Sequence, residues 1–312
     1  MSTLTQSGIL PVEGGHEIYY ACYGSERKPT IVNVHGGPGL KSKEKYARQF
    51  DLTRYHVVTF DQRGCGQSRF NNVLDANTLT DLVNDMERLR RHIGVSRWFL
   101  NGGSWGATLC LAYAQKYPEQ VSGLLLASTF LGDFERMTWL HGAPHQIADE
   151  LFPKEYATYR TFLDTFGIKN RDDLKKLVSI LMSGDLVQGA NIVTALTQFE
   201  RRLYVAHQIR PETLIVTDAI RLTKSIYLHY AYNRFFTSEG QFSQDKNTFS
   251  EMPIILVHGE MDYVCPLTDI ECFARDKKQL RLVTLHNNGH SFDDAGKKAT
   301  EEAYAQFLRK YQ

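Results

Sequence analysis

A chain of 312 residues with 42% hydrophobic and 23% charged positions can build a full globular core and is not polar enough to be disordered. Its formal net charge of +1 comes from 36 basic and 35 acidic residues spread along the chain, which leaves no basic field for a nucleic-acid backbone. No run approaches the roughly 18 uninterrupted apolar residues of a membrane span, so neither nucleic acid nor membrane is expected as a partner.

In chain order, Gly14-Gly15 separates two short β-rich runs, residues 9–12 and 18–21, which predicts a hairpin. Apolar runs follow at residues 30–34, 56–60 and 98–100, each closed by a Gly- or Asp-rich loop, as buried strands of a parallel sheet are. Thr78 and Asp81 fit an N-terminal helix cap, and Leu79, Leu82, Val83, Met86, Leu89 and Ile93 continue it at helical spacing. A second helix is predicted over residues 105–117, stopped by Pro118, with a strand returning over 121–127. This β-α-β order favours parallel pairing. Residues 130–250 carry amphipathic helical segments dense in Tyr, Phe, Arg and Leu, and strands resume at 254–257 and 280–285 before a closing helix over 297–310. The expected organisation is a catalytic domain of residues 1–129 and 251–312 with a helical cap, 130–250, inserted in it.

Gly102-Gly103-Ser104-Trp105-Gly106 fits G-x-S-x-G between a predicted strand and a predicted helix, the context that makes this motif a nucleophile turn. A serine hydroxyl becomes a useful nucleophile when an imidazole removes its proton, and a carboxylate must fix the imidazole tautomer. On an α/β hydrolase these partners follow the serine as acid and then histidine, each in a loop after a late strand. Asp262, in His258-Gly259-Glu260-Met261-Asp262, and His290, in Asn287-Asn288-Gly289-His290, meet both conditions. Glu260 and His286 are the competitors, one closer to its strand end and the other without a preceding glycine, and His258 reads as structural. The backbone N–H groups of Trp105 and of Gly37, in the loop His35-Gly36-Gly37-Pro38-Gly39, are the expected oxyanion donors. A phosphate-binding reading of that loop lacks the Lys-Ser/Thr ending it would need.

Five cysteines, Cys22, Cys65, Cys110, Cys265 and Cys272, form no C-x-x-C pair, so reduced thiols are expected and a thiolate zinc site is not. The polar start of the chain has neither the basic nor the apolar run of a secretory leader, and a cytoplasmic location is expected.

Together with Asp61-Gln62-Arg63-Gly64-Cys65-Gly66-Gln67-Ser68, the loop at His35 and the turn at Ser104 resemble the proline iminopeptidase family of α/β hydrolases, in order and spacing. The resemblance implies an α/β-hydrolase fold with a mostly parallel, doubly wound sheet, and release of an N-terminal residue from short peptides without metal or organic cofactor. It also implies recognition of the substrate amine by glutamates of the cap. Phe199-Glu200 matches one such position, and Ile226-Tyr227-Leu228-His229-Tyr230 is the nearest match to the second, with Tyr227 where the acid should stand. A phenol offers an amine a hydrogen bond and no charge, so an esterase or other small-molecule acyl hydrolase with the same triad is the alternative.

Overall fold

A computed structural model of the chain describes residues 4–132, 134–142, 146–204, 214–245 and 247–311. Its first two strands, β1 (Leu4–Pro11) and β2 (His16–Tyr23), form the antiparallel hairpin predicted at Gly14-Gly15. The parallel strands follow the apolar runs: β3 (Thr30–Val34) and β4 (His56–Phe60) are buried at every position, as strands covered on both faces must be. A two-residue strand, β5 (Arg69–Phe70), pairs with β2 and has no sequence signal.

Helix α1 (Leu79–His92) carries the capping box expected of Thr78 and Asp81 and leads into β6 (Trp98–Gly103). Helix α2 (Trp105–Lys116) starts directly behind Ser104, and β7 (Val121–Ala127) returns to the sheet. After a segment of helices come β8 (Ile254–Gly259), β9 (Leu280–Leu285) and the last α-helix, Asp294–Tyr311. The strand order is β1-β2-β4-β3-β6-β7-β8-β9, with every neighbour from β4 to β9 parallel. Order reverses at β3, and the adjoining strand β6 ends at the turn of Ser104, in the region where ligands bind on open α/β sheets.

Between β7 and β8 the described residues hold no strand. Helices α3 (Gln146–Leu151), α4 (Pro153–Thr165), α5 (Leu174–Met182), α6 (Leu186–Tyr204) and α7 (Asp218–Tyr232) fill that stretch. Of the expected cap, residues 133, 143–145, 205–213 and 246 lie outside the described set. Two differences from the sequence reading concern the late elements. A helix α8 (Leu267–Ala274) links β8 to β9, and α9, the Asp294–Tyr311 helix, begins three residues before its expected start. The early start fits Asp293, whose carboxylate accepts from the Gly296 N–H at 2.7 Å and so satisfies a first-turn donor. No helix among the described residues is long and apolar enough to cross a membrane.

Candidate active site

Ser104 sits at φ 54°, ψ −125°, a backbone state that L-residues rarely adopt and that folds hold only where the surroundings enforce it. Its neighbours permit the turn by being small. A Cβ on Gly102 would come within 2.5 Å of the Gly106 carbonyl oxygen, and one on Gly106 within 2.2 Å of the Val34 carbonyl oxygen. Ser104 occupies the N-cap of α2 without using its side chain as a cap, which leaves Oγ available.

His290 Nε2 lies 2.9 Å from Ser104 Oγ, and its Nδ1 lies 2.8 Å from Asp262 Oδ2. Because the carboxylate accepts, Nδ1 carries the hydrogen and Nε2 turns its lone pair to the serine hydroxyl. Asp262 is fixed in turn: Oδ1 accepts from the N–H groups of Val264, at 3.0 Å, and Cys265, at 2.8 Å. Burial pushes the Asp262 carboxyl up, but the charge and hydrogen bond of His290, then His258 and the Cys265 N–H, outweigh burial and hold it below its usual value. The fold therefore keeps a carboxylate, not a carboxylic acid, behind the imidazole.

Of the sequence competitors, Glu260 and His286 pair with each other at 3.2 Å on the surface. His258 is fully buried, its Nε2 2.8 Å from the Cys265 carbonyl oxygen and 3.4 Å from Asp262 Oδ2, a bracket for the acid loop. Burial holds its pKa below the ordinary imidazole value.

Trp105 opens α2, where a backbone N–H has no acceptor within the helix, and Gly37 lies in the loop after β3. That loop touches the serine turn: a Cβ built on Gly36 would stand 3.1 Å from the Gly103 carbonyl oxygen and 3.7 Å from Ser104 Cβ. Gln62 braces both parts. Its amide donates to the His35 carbonyl oxygen at 2.7 Å and accepts from Trp105 Nε1 at 2.9 Å, while its backbone N–H donates to His35 Nε2 at 3.0 Å. An accepting Nε2 puts the hydrogen on Nδ1, which meets the Gly36 carbonyl oxygen at 2.9 Å, and burial keeps the ring neutral by lowering its pKa. The motif at Asp61 is thus a support for the two expected oxyanion donors, a role the sequence reading did not give it.

Helices α6 and α7 reach the same place. Tyr204, at the end of α6, stacks on the His290 ring at 5.1 Å and 25°, and its carbonyl oxygen accepts from the Ser291 N–H at 3.1 Å. On α7, Thr223 donates to the Gly39 carbonyl oxygen at 2.9 Å, so that helix rests on the loop of Gly37. Glu200 is one turn before Tyr204 and is buried, at 4% exposure. Its Oε2 pairs with Lys224 of α7. Tyr227, one turn after Lys224, has that ammonium 5.3 Å from its ring centroid. Burial, then Tyr204 and Glu200, push the Tyr227 phenol well above its usual pKa, so it stays uncharged. Sequence reasoning missed Tyr204 and Lys224, although both lie one helical turn from residues it had chosen.

Asp262, Cys265 and His290 present ligand-type atoms within 4.8 Å of one another. Metal ligation needs a thiolate, and burial pushes the Cys265 thiol well above its ordinary pKa, with Asp262 adding to the effect. Hydrolysis is accordingly expected to be unchanged by EDTA. Loss of activity that zinc or manganese restores contradicts this.

A family model for the alpha/beta hydrolase fold matches residues 29–292. Among curated proteins, the proline iminopeptidase of Xylella fastidiosa (strain 9a5c) is 33% identical over 298 residues, covering 92% of this chain and 91% of the relative. That of Arabidopsis thaliana is 30% identical over 298 residues, covering 93% of this chain and 76% of the relative. Among solved structures, a thermophilic esterase from Thermogutta terrifontis superimposes with a TM-score of 0.62 at 16% identity, covering 98% of this chain and 99% of the other, a likeness of fold. With a family model over most of the chain and a relative 33% identical over nearly all of it, the protein is a hydrolase that belongs to the proline iminopeptidase family of α/β hydrolases.

Proposed function

We propose that the protein is a serine hydrolase that releases the first residue of short peptides or peptide-like amides through an acyl-enzyme on Ser104. The observation that carries the reading is the unbroken hydrogen-bond chain from Ser104 Oγ through His290 to Asp262. In the reaction His290 Nε2 takes the serine proton as Oγ attacks the carbonyl carbon, and the Trp105 and Gly37 N–H groups receive the developing oxyanion. His290 then gives the proton to the leaving amine, and a water activated by the same Nε2 hydrolyses the ester. Asp262 keeps the imidazole oriented and balances its charge while the proton is on it.

An exopeptidase needs a wall beyond the first residue, and Glu200, Tyr204, Lys224 and Tyr227 of α6 and α7 supply groups for one. In this reading residues 1–129 and 251–312 form the catalytic unit, and 130–250 form a cap over it. The five free cysteines, four of them buried, suit a reducing cytoplasm. A second reading, an esterase or small-molecule acyl hydrolase, is favoured by one observation: the charge of Glu200 is already matched by Lys224.

The test is a product analysis on short peptides beginning with Ala or Pro, each with a free and an N-acetylated terminus, beside phenyl esters of the same acyl groups. Loss of the first residue, leaving a peptide one unit shorter, is expected. Turnover of the esters without any of the peptides moves the protein to the second reading, and internal cleavage contradicts both.

A further inference from the structure

From the cavity between the sheet and α9 we infer a second binding site, separate from the reacting groups, that takes small uncharged aromatic carboxamides and holds them with Asn33, Asn101 and Tyr304.

Strand register builds its floor. On β3 and β6, Ile31 is the register partner of Phe99 and Asn33 that of Asn101, and residues two apart on a strand project to one face. Ile31 and Phe99 belong to the apolar cluster that α9 covers with Ala303, Tyr304, Phe307 and Leu308, whereas Val32, Val34 and Leu100 pack with α2 on the other side. Two asparagines therefore stand side by side on the α9 face, one layer beyond the apolar core, at 6% and 5% exposure. Packing alone gives no reason for amides there. With Tyr304 they line a cavity of about 380 Å³, within the range of small-molecule sites. Asn33 Oδ1 and the Tyr304 hydroxyl are buried with no hydrogen-bond partner among the described residues. Burial pushes the Tyr304 phenol up, so it stays a neutral hydroxyl. Buried polar atoms left unmet are unfavourable, so a bound group that meets them gains hydrogen bonds the fold does not make.

The lining selects the chemistry. An amide oxygen accepts and a neutral phenol donates, and one carboxamide answers both, with its N–H to Asn33 Oδ1 and its carbonyl oxygen to the Tyr304 hydroxyl or an asparagine Nδ2. Tyr46, Phe292 and Tyr304 bring three aromatic rings to the cavity, which favours a flat ring beside the amide. A carboxylate fits less well. It has no hydrogen for Asn33 Oδ1, and the two cations of the lining, Lys45 and Lys297, are exposed to water. Lys297 already pairs with Asp294 at 2.8 Å, and the lining sets Glu301 against them. The wall also includes Gly36 and Gly103, which precede Gly37 and Ser104. An occupant therefore borders the supports of the catalytic groups without using those groups.

The experiment titrates benzamide and benzoate into the parent, Asn33→Leu and Tyr304→Phe by calorimetry, with thermal unfolding of each protein and a benzamide soak of parent crystals. Saturable binding of benzamide with a Kd on the order of 0.1–1 mM is expected, with benzoate weaker by about tenfold or more. Each variant should weaken benzamide by about tenfold, the loss of one buried hydrogen bond. Tyr304→Phe removes only an unpartnered hydroxyl, so its Tm should equal or exceed the parent's, a combination that a structural role for that hydroxyl would not give; it decides the matter if Asn33→Leu folds poorly. The soak should place the carboxamide against Asn33. A cavity that holds water only, benzamide seated at Ser104 alone, or benzoate bound as tightly as benzamide overturns the inference. So does an affinity of Tyr304→Phe within about threefold of the parent, or a clear fall in its Tm.

Discussion

Ser104→Ala and His290→Ala are each expected to lower kcat by roughly 10⁴- to 10⁶-fold on any substrate the parent hydrolyses, because a nucleophile and its base act as a unit. Without Oγ there is no atom to form the ester, and without Nε2 the hydroxyl keeps its proton at neutral pH. The residual rate comes from binding and from the two backbone donors, which neither substitution touches. Asp262→Asn keeps the shape but not the acceptor pattern. The Val264 and Cys265 N–H groups already take one side-chain atom, and an amide NH₂ facing His290 Nδ1 would reverse the tautomer that the carboxylate sets. A loss approaching 10⁴-fold is expected there. Near-normal turnover by the Ser104 or His290 variant, measured on protein with the parent's circular dichroism, contradicts the mechanism.

The second large effect concerns stability. Arg63 is 2% exposed and meets Asp85, also 2% exposed, through Nε at 2.6 Å and Nη2 at 2.7 Å, with Asp81 at 3.8 Å from Nη1 and the Ala76 carbonyl oxygen accepting from that same nitrogen. Breaking a buried, bidentate pair by removing one partner strands a charge, at a cost of about 3–5 kcal/mol. Arg63→Met should therefore lower Tm by on the order of 10 °C. Replacing both partners by apolar groups of similar size removes the stranded charge, so Arg63→Met/Asp85→Leu should be much more stable than Arg63→Met alone. The check is thermal unfolding of the two single variants and the double. Equal Tm values for single and double variants would place the loss in packing, not in charge. Because Arg63 follows Gln62, which holds His35 and Trp105, the single variant should also lose activity below its own Tm.

Most of the fold is legible in the sequence for a physical reason. Strands buried on both faces must be continuously apolar, so β3, β4, β6, β7 and β8 announce themselves, the half-buried edge strand β9 is marked by Leu280, Leu282, Val283 and Leu285, and Thr78 with Asp81 announces α1. What local pattern misses is short or half-exposed: the two residues of β5 pair only because tertiary structure brings Arg69 beside Glu17, and α8 has just eight residues. At the site, chain order and strand-end context pick out three residues that the fold joins in a hydrogen-bond chain, with 2.9 Å from Ser104 to His290 and 2.8 Å from His290 to Asp262. Those cues work because each residue must project from a strand end. The pocket walls have no such cue. Glu200 and Lys224 are 24 residues apart on two helices, and nothing in either helix says that they will meet. Tyr204 likewise acquires its position over His290 only when α6 packs on the loop after β9.

The most direct measurement of the central claim is peptide mapping of the protein after reaction with a fluorophosphonate, alongside residual activity. A single adduct on Ser104, formed in step with complete loss of hydrolysis, absent from Ser104→Ala and strongly slowed in His290→Ala, is the expected result. Hydrolysis that persists after stoichiometric labelling of Ser104, or an adduct on another residue that tracks the loss of activity, would contradict it.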